Sequence, residues 1–133
     1  MIVVDTNVIA YFLIKGDRTP LAEAIFEKDA HWAAPVLWRS EMRSVLTGYL
    51  RRGLFTLADA KELMSDAEVT LRGNEYDVDS ARTLELADLS GCTTYDCEFV
   101  CVAEALSASL VTSDSELLAA FPSIAVSMSG FAK

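Results

Sequence analysis

Four carboxylates in this 133-residue chain, Asp5, Glu41, Asp96 and Asp114, stand where acids are able to do chemistry. Asp5 ends the apolar run Ile2-Val3-Val4 and is followed by Thr6-Asn7, with a helix-like pattern straight after. In an open α/β sheet, ligands bind outside the carboxyl ends of the strands, and such a residue stands there. Asp114 follows a second strand-like run, Leu110-Val111-Thr112. Asp96 falls in the first turn of a helix pattern opened by Thr93-Thr94. Glu41 lies inside the edge of the apolar stripe formed by Leu37, Trp38, Met42, Val45, Leu46 and Tyr49. Its neighbours three and four residues away are Leu37, Trp38, Ser44 and Val45, so no intrahelical ion pair is available. A glutamate facing a core without a partner is costly unless something compensates it. Brought to one sheet edge, four such acids raise one another's pKa or recruit a counter-ion. A Mg²⁺ or Mn²⁺ ion held by oxygen ligands and several waters is the usual solution. Such an ion activates water and orients a phosphodiester. No histidine lies near these motifs to act as a base; His31 is the only one, and it reads as structural beside Trp32.

Each acid also has a bland reading. Asp5 after a strand can cap the next helix. Glu41 can be a rim glutamate that reaches water or a distant arginine. Asp96 suits the positive end of a helix dipole, and Ser113-x-x-Glu116 around Asp114 resembles a capping box. The charge distribution weighs against treating all four this way. From Thr83 to Ala132 there is no Lys, Arg or His, while the same stretch holds Glu85, Asp88, Asp96, Glu98, Glu104, Asp114 and Glu116. Acids buried there have no local basic partner.

The elements that must position these residues follow from periodicity. Strands are expected at Ile2–Asp5, His31–Ala34, Glu68–Leu71, Ser109–Thr112 and Ile124–Ser127. Helices are expected at Val8–Ile14, Leu21–Lys28, Leu37–Arg52, Leu57–Ala67, Val78–Leu89, Tyr95–Leu106 and Asp114–Ala120, with a loop over Lys15–Arg18. Short strands alternating with helices imply crossover connections and a mostly parallel sheet. No internal repeat, linker or low-complexity tract interrupts the pattern, so residues 1–133 read as a single α/β domain.

Composition, at 52% apolar and 23% charged, fits an ordered globule with one buried core. The longest uncharged stretch, Leu117–Ala132, is broken by Pro122 and several serines and is a poor membrane span. The N-terminus lacks a basic n-region, which places the expected start of the mature chain at Met1 and the protein in the cytoplasm. Cys92, Cys97 and Cys101 are odd in number and form no CxxC pair, so reduced, packed thiols are expected. The net charge of −9 has the wrong sign for holding nucleic acid by overall charge. Any such ligand would lie along the N-terminal cations: Arg39 and Arg43 on the Glu41 helix, Arg51 and Arg52 at its end, and Lys15 and Arg18 in the loop. A solvated helix face accounts for any one of these equally simply.

The succession Val4-Asp5-Thr6-Asn7-Val8, Glu41 in an early helix, Tyr95-Asp96-Cys97-Glu98-Phe99-Val100 and Leu110-Val111-Thr112-Ser113-Asp114 resembles the PIN domain. Chain length and the near-terminal Asp5 look like the VapC-type toxins of bacterial toxin–antitoxin pairs. The resemblance spans essentially the whole chain; each motif is short, and their order and spacing carry it. It implies a three-layer α/β/α sandwich around a short, mostly parallel sheet, and a Mg²⁺- or Mn²⁺-dependent ribonuclease that leaves a 5′-phosphate. Carried over residue by residue, Asp5, Asp96 and Asp114 match metal-binding aspartates and Glu41 the acidic helix residue. Asn7 and Thr112 match supporting polar positions. The implied partners are an RNA substrate, a cognate VapB-type antitoxin whose tail covers the acidic groove, and a second copy of the chain in a homodimer.

Other functions fit less well. A signalling receiver needs a Lys near its last strand, and the second half has none before Lys133. A haloacid-dehalogenase-like phosphatase needs an Asp two positions after Asp5, where Asn7 stands. A non-catalytic binding module on the same fold has no need of the four acids. Within the nucleases, a housekeeping RNA-processing enzyme is the rival to a toxin, and a short antitoxin reading frame directly upstream would discriminate the two.

Overall fold

Ile2, Val3 and Val4 are β-branched with no polar alternation, the pattern of a strand covered on both faces, and they form β1 (Ile2–Val4) at the centre of a sheet. The computed structural model describes residues 1–133. Around β1 lie β2 (Trp32–Pro35), β3 (Glu75–Tyr76), β4 (Leu110–Thr112) and β5 (Ala125–Ser127), in the order β3-β2-β1-β4-β5. Every pairing is parallel, with Val3 opposite Ala33 on one side and Leu110 on the other. The helices are α1 (Thr6–Leu13), α2 (Thr19–Lys28), α3 (Trp38–Arg51), α4 (Leu57–Thr70), α5 (Ser80–Ser90), α6 (Thr94–Leu106), α7 (Ser115–Ala120) and α8 (Met128–Ala132).

Right-handed crossovers sort these helices into layers. The chain moves outward from β1 to β2 and β3 through α1–α2 and α3–α4, which pack on one another. It returns past β1 to β4 through α5 and α6, with α6 against β1 and β2. The result is a three-layer α/β/α sandwich. Its core is fully buried at Val3, Val4, Trp32, Trp38, Met42, Val100 and Leu110, each side chain contributing about 1.5–3 kcal/mol of transfer free energy. Cys92, Cys97 and Cys101 are buried free thiols. No helix is long and apolar enough to cross a membrane.

Strand order fixes where a ligand can sit. The chain leaves β1 in one direction and β4, its neighbour, in the other, which opens a crevice beyond their carboxyl ends. Asp5 and Asp114 both stand just past those ends.

Two expectations about elements are corrected. Glu68–Leu71, with its β-branched Val69 and Thr70, is not a strand: α4 runs through to Thr70. A full capping box at Thr56 and Asp59 starts that helix, and tertiary contacts carry it past the local preference for strand. The third strand is the two-residue β3, reached after Gly73 reverses the chain at φ 80. It is docked by Ala34 N–H donating to Asn74 O (3.1 Å) and Val36 N–H donating to Tyr76 O (3.1 Å). The chain also ends in a helix that periodicity did not suggest, α8, capped when Ser127 Oγ accepts from Gly130 N–H at 3.0 Å. His31 precedes β2 as an exposed residue and hydrogen-bonds Asn74 across 3.1 Å.

Candidate functional site

A cavity of about 290 Å³ opens at the crevice, and Asp5, Asn7, Glu41, Asp96 and Asp114 all line it, with Thr6, Ser44, Val45, Phe99 and Leu117. The four acids singled out by sequence come from four elements and meet here.

Asp5 is only 8% exposed. Its Oδ1 accepts from Val8 N–H at 3.0 Å, so it does cap α1. Its Oδ2 accepts from the buried Thr112 hydroxyl and from Ser113 N–H at 3.3 Å. Thr112 also accepts from Asp114 N–H at 3.0 Å, so one hydroxyl links the acids that follow β1 and β4. Asp114 caps α7, its Oδ1 accepting from Glu116 N–H (2.8 Å) and Leu117 N–H (3.2 Å). Asp96 enters through α6, whose cap Thr93 accepts from Asp96 N–H at 3.1 Å. Capping and site lining are therefore compatible in Asp5 and Asp114. Thr112 stands behind Asp5 as a support, and Asn7 is exposed at the cavity.

Glu41 is half-buried and unpaired within its helix, as its position in the apolar stripe implies. Its Oε1 accepts from Thr6 Oγ1 at 2.7 Å. Thr6 was not among the residues sequence reasoning selected; its place directly after Asp5 was the available signal. Glu98, one turn into α6, also acts on Glu41 electrostatically.

The electrostatics are those of uncompensated acids. Burial pushes Asp5 above the ordinary aspartate value, against the lowering effect of Thr112, Val8 and Ser113, and Asp114 adds repulsion. Burial likewise raises Glu41; Thr6 opposes this, while Asp96, Asp5 and Glu98 reinforce it. Asp96 is raised by burial and by Asp114, with Thr93 opposing. The repulsions close a ring from Asp5 to Asp114, Asp96, Glu41 and back, and no Lys or Arg lines the cavity.

Hard oxygen donors, crowding of like charge and the absence of a cationic partner fit a divalent cation. No three acids converge tightly enough to form a closed cage. Mg²⁺ and Mn²⁺ keep several waters and take only one or two carboxylates, so they do not require such a cage. Asp5, Asp96, Asp114 and Glu41 are the carboxylates that line the cavity where such an ion would be held.

The candidate cations divide. Arg39 is committed elsewhere: its Nε and Nη2 donate to Glu75 and its Nη1 pairs with Glu68, tying α3 to β3 and α4. Arg43 is exposed on α3 without an ion pair. Lys15 and Arg18 line a second cavity beyond the far end of α1.

A parallel five-stranded sheet between helical layers, with acids at the switch point, defines an α/β protein with an acid-lined cavity at its strand ends. The sequence matches the family model of the PIN domain over residues 2–122, and the chain belongs to that family. PIN domains are generally nucleases that use divalent metals. At the level of sequence, no curated protein matches. Among solved structures, PAE2754 from Pyrobaculum aerophilum is similar at 21% identity and TM-score 0.77, over 98% of this chain and 92% of that one. A toxin–antitoxin complex from Klebsiella pneumoniae contains a chain that is 18% identical, with TM-score 0.69, over 96% of this chain and 98% of its own length. The structure of FitAB bound to an IR36 DNA fragment gives 17% identity and TM-score 0.74, over 96% and 95%. At these identities the likeness is one of fold.

Proposed function

We propose that residues 1–133 form one PIN-type endoribonuclease, dependent on Mg²⁺ or Mn²⁺, that acts in the cytoplasm as the toxin of a VapBC-type pair. The observation that carries the nuclease reading is the convergence of Asp5, Glu41, Asp96 and Asp114 on one cavity that no Lys or Arg lines. When bound, the divalent ion supplies charge neutralisation and an activated water for phosphodiester hydrolysis. The chain's own contribution is orientation. Thr112 and Ser113 N–H fix one oxygen of Asp5, and Val8 N–H fixes the other. Thr6 fixes Glu41. The α7 amides hold Oδ1 of Asp114. Asn7, exposed in the cavity lining, is assigned as a donor to a phosphate oxygen. Arg43, Lys15 and Arg18 supply the positive charge that the acidic pocket lacks; Arg39, held by two glutamates, is not proposed for this role.

The toxin assignment is supported by the fold shared with the chain in the Klebsiella toxin–antitoxin complex. We place a VapB-type antitoxin as partner, with a basic segment over the acidic cavity, and a homodimer as the working assembly. Expression of wild type beside Asp5→Asn in a bacterial host, with growth and RNA integrity followed, tests the assignment. Growth arrest with RNA fragmentation by wild type alone is expected. RNA cleavage in vitro without any growth effect would favour a housekeeping enzyme.

A further inference from the structure

The cavity holding the acids lies at one end of a seam between α1 and α3. Thr6 and Asn7 of α1 face Glu41, Ser44 and Val45 of α3 there. One to two turns further along both helices, Tyr11 and Ile14 face Tyr49 across a second cavity of about 190 Å³, which Lys15 and Arg18 close. The distance along α3 from Glu41 to Tyr49 is about 12 Å by helical rise, room for roughly three stacked nucleotides.

The chemistry of the far end differs from that of the near end. The Arg18 guanidinium lies over the Tyr11 ring at 5.3 Å, and that of Arg52 lies over the Tyr49 ring at 4.7 Å. Tyr49 is in turn stacked on Phe55, with centroids 4.9 Å apart and planes at 17°. Neither Arg18, Arg52 nor Lys15 belongs to any ion pair, in a chain with nearly twice as many acids as cations. Asp17 also lines the second cavity, so its lining carries a single excess positive charge, and Arg52 adds another beside Tyr49. Unpaired guanidinium groups resting on tyrosine rings beside a groove are what single-stranded nucleic acid needs: rings and guanidinium planes to stack bases, and charge to follow the backbone.

Resting on the ribonuclease reading above, we infer that the α1–α3 seam is a subsite for single-stranded RNA beside the scissile phosphate. Bases stack on the guanidinium planes of Arg18 and Arg52, which the Tyr11 and Tyr49 rings hold from behind, and the same charges, with Lys15, follow the backbone phosphates. A duplex, whose bases are already stacked on each other, does not engage these planes.

The test measures binding of a short 5-bromouridine-containing RNA strand in the Asp5→Asn background with Mg²⁺ present, beside cleavage of the same strand by wild type. Ultraviolet crosslinks should map within Tyr11–Arg18 or Tyr49–Arg52. The Arg18→Gln/Arg52→Gln pair should weaken binding about tenfold and reduce the slope of log affinity against log salt by about 1.4. An Arg72→Gln/Lys61→Gln pair, which removes two exposed cations from α4 and its C-terminal end, controls for net charge and should leave binding close to that of the Asp5→Asn background. Equal effects of the two pairs, crosslinks elsewhere, or equal binding of the same sequence as a duplex would overturn the inference while leaving the nuclease reading in place. Absence of both cleavage by wild type and binding would overturn both. Wild-type-like RNA binding and cleavage by Arg18→Gln/Arg52→Gln would leave the seam to a peptide ligand instead.

Discussion

Thr112 shows how a single hydroxyl can govern a site. It is fully buried, donates to Asp5 and accepts from the backbone of Asp114, so it sets the relation between the acids of two neighbouring strands. Thr112→Val keeps the shape and removes both bonds, leaving Asp5 Oδ2 with only the longer Ser113 contact. A loss of about 1–3 kcal/mol in urea unfolding is expected. Because the hydroxyl is the largest influence holding the Asp5 pKa down, its loss raises that pKa further. Divalent-ion stabilisation in Thr112→Val should therefore require higher pH than in wild type, as thermal melts with and without Mg²⁺ across pH would read. Glu75 behaves in the opposite sense. Arg39 holds it below the ordinary glutamate value of 4.5, so its contribution is present above that value and is lost as pH falls through the lowered folded-state pKa. Glu75→Gln should cost about 1 kcal/mol at neutral pH and converge on wild type in acid. A deficit that does not shrink on acidification would contradict this role. Arg39 also marks a limit of sequence reading. Its position on the Glu41 helix was visible, but its partners lie 29 and 36 residues away on elements whose packing no local pattern encodes.

At the scale of elements, the α5–α6 junction sets the position of Asp96. Gly91 ends α5 at φ 74, and Thr93 then starts α6. A Cβ at Gly91 meets nothing within 4 Å, so Gly91→Ala isolates the backbone cost. It should destabilise by about 1–2 kcal/mol, measured by urea midpoint, with any cleavage activity retained at permissive temperature. This boundary was legible because Gly and the two threonines punctuate it. The strand ends before Asp5 and Asp114 were legible for a similar reason: Ile2-Val3-Val4 stops at a carboxylate, and Leu110-Val111 gives way to the polar run Thr112-Ser113-Asp114. The third strand was not legible. Glu68–Leu71 has the residue types of a strand, yet its capping box lies a dozen residues earlier, and the real β3 is two residues long. A two-residue strand has no period to detect. Glu41 was found by the converse logic, as an acid in an apolar stripe, but its partner Thr6 lies 35 residues away and emerges only from the α1–α3 packing.

Over the whole molecule, a net charge of −9 coexists with a nucleic-acid reading because charge is segregated. Acids line the switch-point cavity, whereas Lys15, Arg18 and Arg52, none of them in an ion pair, sit along the outer end of the α1–α3 seam. The parallel sheet, ordered β3-β2-β1-β4-β5, makes this possible by delivering β1 and β4 side by side with opposite onward directions. Burial raises Asp5, Glu41 and Asp96, so their ionisation opposes folding as pH rises through the folded-state values. On the proposed metal-dependent reading, a bound divalent ion offsets that cost, adding about 2.7 kcal/mol when present at a hundred times its dissociation constant. Mg²⁺ or Mn²⁺ should accordingly raise the melting temperature of wild type at neutral pH, and Asp5→Asn should lose the increase. The most direct test of the central claim is cleavage of single-stranded RNA by purified wild type and Asp96→Asn, each with Mg²⁺ and with excess chelator. Wild type should cleave with the ion alone, and folded Asp96→Asn under neither condition. Undiminished cleavage in chelator, or by Asp96→Asn, would contradict that claim.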